Sequence, residues 1–264
     1  MVNTSDCLFD LIAAKHSTMS QTNRKIAGFV LDYPHDMVQM DLAEFVDATK
    51  TSRSSVIRFC KSLGLSGYRE LQQKYLKQQP LFTEEHGNLE WCFEASQAAI
   101  SQTFQAIDLA HFQEAVRSCA KANQIVWYGL GESGFQAEMA NHKCRYLGIN
   151  SYCCQDESSF MGMSSFIKGT DVLILISRSG EGEYFHRPLE IAKALGVLII
   201  VITSKPFSWL AQRADICLFA YSRAAVHQNW LAVIKAGFEA ITSTLILQVA
   251  EECGAQLIYE GDER

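Results

Sequence analysis

Residues 50–77 have the sequence KTSRSSVIRFCKSLGLSGYRELQQKYLK, which holds seven lysines and arginines and a single acid, a local charge of +6. The 264-residue chain has a net charge of −6, and its residues 1–49 hold three bases and seven acids. A basic segment in an acidic protein most often contacts a nucleic-acid backbone, although a solvated helix face can carry the same charge. The order of the residues in and around the segment therefore decides its interpretation.

The pattern around this basic segment predicts two short helices joined by a tight turn. Residues 41–48 (DLAEFVDA) are expected to form the first helix, and the polar residues 49–51 interrupt it. Ser52 is a suitable N-cap for the second helix because its hydroxyl can accept a hydrogen bond from an unpaired backbone N–H. The second helix is expected to run to about Leu63 and to end at Gly64, a residue type favoured just after helices. This arrangement is a helix-turn-helix.

At 3.6 residues per turn, the second predicted helix has two different sides. Val56, Cys60 and Leu63 share a side that can pack on a core, whereas the opposite side holds small hydroxyl residues and long cations. Small side chains let a helix enter the major groove of DNA, and arginine can reach base edges or phosphates there. The predicted DNA-binding residues are Lys50, Ser52, Arg53, Ser54, Ser55, Arg58 and Lys61.

Three further helices are predicted beside this pair. Residues 23–31 form a supporting helix that Pro34 is expected to end, because the residue before a proline disfavours helical backbone. Residues 6–16 and 67–79 form the other two. The segment is therefore expected to be an all-helical domain.

This region resembles a known family of regulators. Residues 23–77, with the run RFCKSLGLSGY at 58–68, are similar to the N-terminal domain of the RpiR family of bacterial transcriptional regulators. The match extends over about fifty residues, so it is specific. The resemblance implies that residues 52–61 form the DNA-binding segment.

The composition is that of a globular protein with room for two domains. The chain is 48% hydrophobic, while its longest apolar stretches are far too short to span a bilayer. Its first residues, MVNTSDCLFD, are polar and acidic, so no secretory signal is expected. The nine cysteines are odd in number and include no C-x-x-C pair, which favours reduced thiols in a cytoplasmic protein over disulfides or a zinc site. We expect no metal and no cofactor.

From about residue 91 the sequence alternates between helical and strand-like segments and becomes acidic. Residues 81–264 hold 13 bases and 21 acids, so this half is not expected to bind DNA. Short apolar strands between helices predict a parallel sheet covered on both faces, with ligands beyond the carboxyl ends of its strands. The predicted strands are 124–128, 151–154, 171–176, 197–203 and 216–220, and the predicted helices are two within 91–120, 135–147, 183–195, 207–212 and 229–251.

Two loops in this half carry chemistry. The first, GLGESG at residues 129–134, fits the G-x-G-x-x-G pattern of dinucleotide-binding proteins, and Asp156 is close to where a ribose-binding acid is required. The second, SRSGEG at residues 177–182, places two hydroxyls, an arginine and two glycines at the start of a helix. Such a loop favours an anion because its backbone N–H groups and the helix dipole face the ligand. An ordinary capped turn is the alternative for the second loop.

Considered together, the two loops are more specific than either alone. Residues 124–220 resemble the SIS (sugar isomerase) domain, whose G-x-G-x-S and S-x-S-G loops follow successive strands. The resemblance implies that the S-x-S-G loop holds a phosphate and that the serine of the first loop contacts sugar hydroxyls. The predicted ligand-binding residues are Gly131, Ser133, Ser177, Arg178, Ser179 and Gly180.

One position departs from the pattern of this family. Many SIS domains have serine or threonine two residues after the S-x-S-G glycine, and this chain has Gly182 there, followed by Glu183. A carboxylate near a phosphate lowers its affinity unless it turns away or meets a base such as Arg178 or Arg187. The effector is then bound with help from these arginines, is unusual, or is no longer bound by this loop.

The expected fold is an all-α helix-turn-helix domain followed by an α/β SIS domain, in which helices flank a parallel sheet. The expected bounds are residues 1–77 for the DNA-binding domain, 78–90 for a linker, and 91–264 for the domain that binds the ligand and forms the oligomer. The two resemblances imply a repressor of a sugar-catabolism operon that binds operator DNA and a phosphorylated sugar. A palindromic operator requires at least a homodimer, and a homotetramer also fits.

Two other functions remain open at this stage. SIS domains also occur in isomerases, which need an acid–base group, and the candidates are Glu132, Glu181, His142, His186 and His227. None of them lies in a catalytic motif, so we assign no catalytic residue and expect no enzyme activity. The second alternative is a repressor that senses a dinucleotide through residues 129–134.

Overall fold

The computed structural model of the chain describes residues 8–15, 18–78, 89–205, 207–221 and 231–254. The chain divides into two compact units, one made of Met1–Ala106 with Tyr221–Gly237 and the other of Ile107–Ala220 with Phe238–Arg264. The centre of the predicted linker, residues 79–88, lies outside the described residues.

The first unit is helical, as predicted. Its helices are α1 (Leu8–Lys15), α2 (Gln21–Asp32), α3 (Pro34–Gln39), α4 (Leu42–Thr49), α5 (Arg53–Ser62), α6 (Tyr68–Gln78) and α7 (Leu89–Ala106). The helix α3 was not predicted, because Pro34 was interpreted only as a stop for α2. Pro34 instead occupies the first position of α3, where a missing backbone N–H costs nothing.

The core of this unit lies between α2, α4, α5 and α6. Ile26, Phe45, Val56 and Leu71, one from each of these helices, are fully buried. Phe45 also packs its ring 4.7 Å from the ring of Tyr68, measured between centroids. These apolar contacts fix the angle between α4 and α5, and they therefore position the side of α5 that faces away from the core.

The helix α6 also completes the hydrogen bonding of α3. The Tyr68 hydroxyl donates to the Met37 carbonyl at 2.7 Å, and the Gln72 amide donates to the carbonyls of Met37, Val38 and Met40. The last carbonyls of a helix have no partners within it, so these two side chains supply them. This gives Tyr68 a structural role within the RFCKSLGLSGY run.

The second unit is an α/β fold with five parallel strands in the order β2-β1-β3-β4-β5. Its strands are β1 (Ile125–Gly129), β2 (Ser151–Cys154), β3 (Val172–Ile176), β4 (Leu198–Thr203) and β5 (Ile216–Phe219). Its helices are α8 (Leu109–Lys121), α9 (Glu132–Tyr146), α10 (Glu157–Ser164), α11 (His186–Ala194) and α12 (Leu231–Glu252), of which the residues from Phe238 onward belong here. The predicted parallel sheet flanked by helices is confirmed.

The helices of this unit differ from the prediction in two places. The helix α10 was not predicted, and the helix expected at 207–212 is only a 3-10 turn at Ala211–Arg213. The second difference arises because the segment after β4 satisfies its polar groups through the neighbouring loop rather than through its own helical turns. For example, the Leu210 N–H donates to the Gly180 carbonyl at 3.0 Å.

The sheet is buried and reverses its strand order beside β1. All five residues of β1 and of β3 are buried, so both faces of the sheet are covered. Because β1 pairs with β2 on one side and with β3 on the other, the connections leave in opposite directions there, which opens a crevice at the carboxyl ends of β1 and β3.

Two smaller predictions concern the whole chain. The eight cysteines in the described part of the chain are free thiols. None of the described helices is long and apolar enough to cross a membrane.

Candidate functional site

The turn between α4 and α5 is held by its own threonines. The Thr49 hydroxyl donates to the Phe45 carbonyl at 2.8 Å and lies 2.8 Å from the hydroxyl of Thr51. Lys50, between them, has a φ of 49°, in the left-handed region that residues with a side chain rarely adopt. A backbone constrained in this way holds the cation of Lys50 at the corner of the helix-turn-helix.

The start of α5 is a cluster of serine hydroxyls, as the N-cap prediction required. The Ser52 hydroxyl accepts from the Ser55 N–H at 3.2 Å and lies 2.9 Å from the hydroxyls of both Ser54 and Ser55. The Ser55 hydroxyl in turn accepts from the guanidinium of Arg58 at 3.2 Å. A short chain of hydrogen bonds therefore links the helix start to the arginine one turn later.

Six of the seven predicted DNA-binding residues are exposed. These are Lys50, Ser52, Arg53, Ser54, Arg58 and Lys61. The seventh, Ser55, is buried, at 7% exposure, and its hydroxyl contacts its neighbours rather than solvent. We therefore assign Ser55 the role of positioning Arg58.

The end of α5 matches its predicted C-cap. Gly64 has a φ of 81°, while the Leu65 N–H donates to the Cys60 carbonyl at 2.9 Å and the Gly64 N–H to the Lys61 carbonyl at 3.0 Å. These two bonds form a Schellman motif, which satisfies the last carbonyls of a helix. Burial raises the pKa of the Cys60 thiol to about 12, so this cysteine is a neutral core residue.

The helix starts around α5 differ in charge. α4 begins with a capping box in which Asp41 and Glu44 satisfy each other's backbone N–H groups, and Glu70 accepts from the Ser66 N–H just before α6. The side-chain and backbone hydrogen bonds from Ser66 lower the pKa of Glu70, so this carboxylate is charged. α5 instead begins at a neutral hydroxyl, so among these three helices its start is the one that favours a phosphate.

The two predicted ligand loops begin side by side in the second unit. Gly129, the last residue of β1, pairs in register with Ile176, the last residue of β3. Residues 129–134 and 177–182 therefore both leave the sheet at its carboxyl edge, at the crevice where the strand order reverses.

The first loop brings the start of α9 close to β1. A Cβ on Gly129 would lie 2.4 Å from the carbonyl oxygen of Ser133, so no side chain fits there. Gly131 has a φ of 54° and supplies no side-chain cap to α9. Ser133, the second residue of this helix, is half-buried, and its backbone N–H donates to the Leu130 carbonyl at 3.0 Å.

The S-x-S-G loop is held from within and from the segment after β4. The Ser177 hydroxyl accepts from the Gly180 N–H at 3.1 Å, and the Ser179 hydroxyl accepts from the Glu181 N–H at 3.3 Å. Each hydroxyl keeps a proton of its own, while Ser177 is buried, at 4% exposure, and Ser179 is half-buried. Gly180 has a φ of 65°, and a Cβ there would lie 1.9 Å from the hydroxyl oxygen of Ser208.

The arginine of this loop is positioned through its backbone. The Arg178 carbonyl accepts from the N–H and the hydroxyl of Ser204, at 3.2 and 2.8 Å. Its side chain is exposed. The guanidinium is therefore available at the loop while the backbone is fixed.

The carboxylates near the loop are arranged in different ways. Glu181 is engaged, because its carboxylate accepts from the backbone N–H of Trp209 at 2.8 Å. Glu183 is exposed, in a 3-10 turn (Glu183–Phe185) that the Tyr128 hydroxyl holds by donating to the Tyr184 carbonyl at 2.9 Å. The guanidinium of Arg187, one of the two bases considered for Glu183, lies 3.5 Å from the carboxylate of Glu157.

Asp156, the acid of the dinucleotide hypothesis, caps α10. Its carboxylate accepts from the Ser159 N–H at 2.7 Å, and the Ser159 hydroxyl approaches the Asp156 N–H in return. A carboxylate used in this way has fewer free lone pairs for a ribose hydroxyl.

An aromatic stack beside the S-x-S-G loop was missed by the sequence reasoning. The rings of His186 and Trp209 stack with centroids 4.0 Å apart, and the guanidinium of Arg213 lies 4.4 Å from the centroid of the Trp209 ring. No local signal could have found it, because His186 and Trp209 are distant in sequence. Another of the five acid–base candidates, His227, lies outside the described residues.

Comparisons with known proteins agree with this geometry. The family model of the SIS domain matches residues 118–250, and the model described as a helix-turn-helix domain of the rpiR family matches residues 7–79. An HTH-type transcriptional regulator of Caldanaerobacter subterraneus is 26% identical over 253 residues, covering 92% of this chain and 90% of that protein. The bifunctional protein glk of Burkholderia thailandensis is 26% identical over 225 residues, but this chain matches 81% of its own length to only 35% of that protein.

A solved structure shares the fold over most of the chain. The Vibrio vulnificus NanR protein complexed with ManNAc-6P has a TM-score of 0.61 and 18% identity, covering 92% of this chain and 91% of that chain. At this identity the likeness concerns the fold.

Proposed function

Because this chain belongs to the RpiR family of helix-turn-helix transcriptional regulators with a SIS domain, we propose that it is a cytoplasmic DNA-binding regulator controlled by a phosphorylated sugar. The observation that carries the proposal is the pairing of an exposed basic helix in one unit with an S-x-S-G loop at the strand-order reversal of the other. Either feature alone is compatible with other functions, whereas a ligand-binding domain joined to a DNA-binding domain supports a regulator.

In the DNA-binding half, α5 is the proposed recognition helix. Its exposed side holds Arg53, Ser54, Arg58 and Lys61, and its start is free of carboxylates. Cations on this side attract the phosphates, while arginine and serine can donate to base edges in the major groove.

In the sensor half, the phosphate of the effector is proposed to bind at residues 177–180. The Ser177 and Ser179 hydroxyls can donate to its oxygens, and the Arg178 guanidinium supplies a countercharge. Ser133, at the start of α9, is proposed to contact sugar hydroxyls. That the similar NanR fold was solved with ManNAc-6P supports a phosphorylated sugar as the class of ligand.

We propose that the sugar phosphate is sensed and not converted. Of the possible acid–base groups, Glu181 is engaged by the Trp209 N–H and the ring of His186 is stacked on Trp209. A SIS-fold isomerase remains the competing function, and turnover of a sugar phosphate by the purified protein would favour it.

A regulator that binds a palindromic operator needs at least two copies, and we propose that α7 contributes to their pairing. Phe93, Ile100 and Phe104 are 67%, 46% and 70% exposed and recur at helical spacing. The opposite side of α7 carries Ala95 and Ala99, which are buried. A second copy of α7 would cover the apolar stripe formed by Phe93, Ile100 and Phe104. The measured mass of the assembly distinguishes a dimer from a tetramer.

We further propose that the protein is a repressor of a sugar-catabolism operon and that its ligand releases it from DNA. A ligand can shift this equilibrium only if it binds the two states of the regulator with different affinity.

The first test is a thermal-shift screen of the purified chain against sugar phosphates, with the matching unphosphorylated sugars and NAD(H) as controls. A ligand that binds the native state raises the melting temperature by mass action. A shift with one sugar phosphate alone supports the proposal, whereas a shift with NAD(H) that persists in the Ser177→Ala and Ser179→Ala variants would replace it with the dinucleotide hypothesis.

A further inference from the structure

α5 carries one apolar residue on its otherwise polar side. Of the ten residues of this helix, Ser55, Val56, Phe59 and Cys60 are buried, and the other six are polar or charged except Ile57. Ile57 is half-buried, four residues after Arg53 and four before Lys61, both of which are exposed. Residues at this spacing follow one another along the same row of a helix surface, so the isoleucine lies between two cations.

Ile57 is not part of the core of the unit. Val56, Phe59 and Cys60 face that core and are fully buried. Ile57 instead borders a surface cavity of about 540 Å³ that Leu42, Gly67 and Arg69 also line. The Cδ1 of Ile57 would lie 3.7 Å from a Cβ on Gly67. Because Gly67 has no side chain, part of the surface of Ile57 stays uncovered.

An apolar side chain in this row can contact an apolar group in the major groove of DNA. The C5 methyl of thymine is an apolar group on the base edges of the major groove, and the other bases present donors and acceptors there. A helix that enters the groove with Arg53 and Lys61 beside the phosphates or bases carries Ile57 toward those edges.

We propose that Ile57 contacts a thymine methyl in the operator and thereby determines sequence specificity at one base pair. This proposal rests on the proposed function, because it requires α5 to occupy the major groove. It adds a residue that the charge and hydroxyl pattern of α5 does not identify, and it states which base that residue prefers.

The experiment begins with selection of high-affinity duplexes from a random-sequence pool by the full chain. Each thymine of a selected duplex is then replaced singly by deoxyuridine, which removes only the methyl, and the Kd is measured for the wild type and for Ile57→Ala. We expect one replacement to weaken wild-type binding about fourfold, the factor that corresponds to burial of one methyl group. The same replacement should change the Kd of Ile57→Ala by less than about twofold, because its partner is already absent.

Two controls separate contact from general damage. Leu76→Ala removes an apolar side chain that is 52% exposed on α6 and should leave the deoxyuridine effect at its wild-type size. Ile57→Val keeps the branched side chain, so it should retain part of the effect, and it replaces Ile57→Ala in the comparison if the alanine variant does not fold.

The outcomes are distinguishable. An equal deoxyuridine effect in the wild type and in the Ile57 variants, or no effect at any thymine in the wild type, overturns the thymine contact while leaving DNA binding in place. If the wild type enriches no sequence from the pool, the proposed regulatory function fails instead.

Discussion

At the scale of single residues, the exposed side of α5 depends on a side chain that is itself buried. Ser55 is buried and connects the Ser52 cap to the guanidinium of Arg58. An arginine held by a neighbour loses less conformational entropy when it binds, because its side chain is already ordered. The serines at the start of α5 therefore serve the arginine as well as the helix.

Replacing Arg58 by alanine should weaken operator binding by about 1–3 kcal/mol if the guanidinium contacts a base edge. Ser55→Ala should cost less, and it should cost nothing further in a chain that already carries Arg58→Ala, since the serine acts through the arginine. Fluorescence anisotropy with a labelled duplex measures all three variants, and Arg145→Ala on α9 is the control for loss of a positive charge. Full additivity of the two substitutions would contradict the positioning role of Ser55.

Glu239 gives a prediction for the dependence of stability on pH. Burial tends to raise its pKa, but hydrogen bonds from Lys143, Ser243 and Gln136 outweigh burial and hold the pKa below its ordinary value of 4.5. A carboxyl whose pKa is lowered by folding stabilises the protein above its unfolded pKa, and this contribution is lost as the pH falls through the folded pKa.

Between about pH 5 and pH 3, the melting temperature of the wild type should therefore fall more steeply than that of Glu239→Gln. Calorimetry at several pH values measures both proteins, and the difference between them removes the contribution of the other carboxyls. Parallel curves would show that the contacts between α9 and this carboxylate do not stabilise the folded protein.

At the scale of elements, the S-x-S-G loop and the segment after β4 form one structure. The backbone N–H of Leu210 donates to the Gly180 carbonyl, and the backbone N–H of Trp209 donates to the Glu181 carboxylate. Ser208 occupies the space in which a side chain at position 180 would lie. The loop is therefore preorganised by residues that follow the next strand, which reduces the cost of ordering it around a phosphate.

Replacing Ser179 by alanine should abolish the response to the sugar phosphate and leave operator binding unchanged, because a hydroxyl donor to the phosphate is lost. Gly180→Ala should have the same effect through distortion of the loop, since its Cβ would clash with Ser208. Ser158→Ala on the exposed surface of α10 is the matched control. A full ligand response in the Ser179 variant would place the phosphate elsewhere.

The apolar stripe of α7 can be tested by its effect on mass. Phe104→Ser removes the most exposed aromatic ring of the stripe and should raise the concentration at which subunits separate, because less apolar area is buried between copies. Sedimentation velocity measures this concentration, and Phe135→Ser, which removes a ring that is 72% exposed on α9, is the comparison. If Phe135→Ser causes the subunits to separate and Phe104→Ser does not, the interface lies on α9 instead of α7.

The elements that the sequence predicted are those fixed by local chemistry. Ser52 and Gly64 correctly predicted the start and the end of α5, because a helix cap depends on residues within one turn. The apolar runs predicted every strand of the sheet. Contacts between distant residues could not be predicted in this way. The partner of Glu181 and the stack of His186 on Trp209 are products of tertiary packing, and Pro34 starts a helix where local rules alone predicted only an end.

At the scale of the whole molecule, the charge is divided between the two functions. Residues 50–77 carry seven bases and one acid, whereas residues 81–264 carry 13 bases and 21 acids. If the cations of residues 50–77 neutralise DNA phosphates, binding releases counterions from the DNA, so the affinity for DNA should decrease strongly as salt concentration rises.

Regulation requires that ligand binding in one unit is energetically coupled to DNA binding in the other. If the sugar phosphate changes the affinity for the operator by some factor, the operator must change the affinity for the sugar phosphate by the same factor. This reciprocity holds whether the ligand releases the protein from DNA or recruits it.

The most direct measurement is therefore a pair of titrations with the full chain: the Kd for a selected operator with and without the sugar phosphate found in the thermal-shift screen, and the Kd for that sugar phosphate with and without the operator. The proposed regulator predicts the same change in both, weaker binding by about fivefold or more, and no change in Ser179→Ala. Operator affinity that is identical with and without a saturating sugar phosphate would contradict the central claim that this protein is a regulator controlled by that ligand.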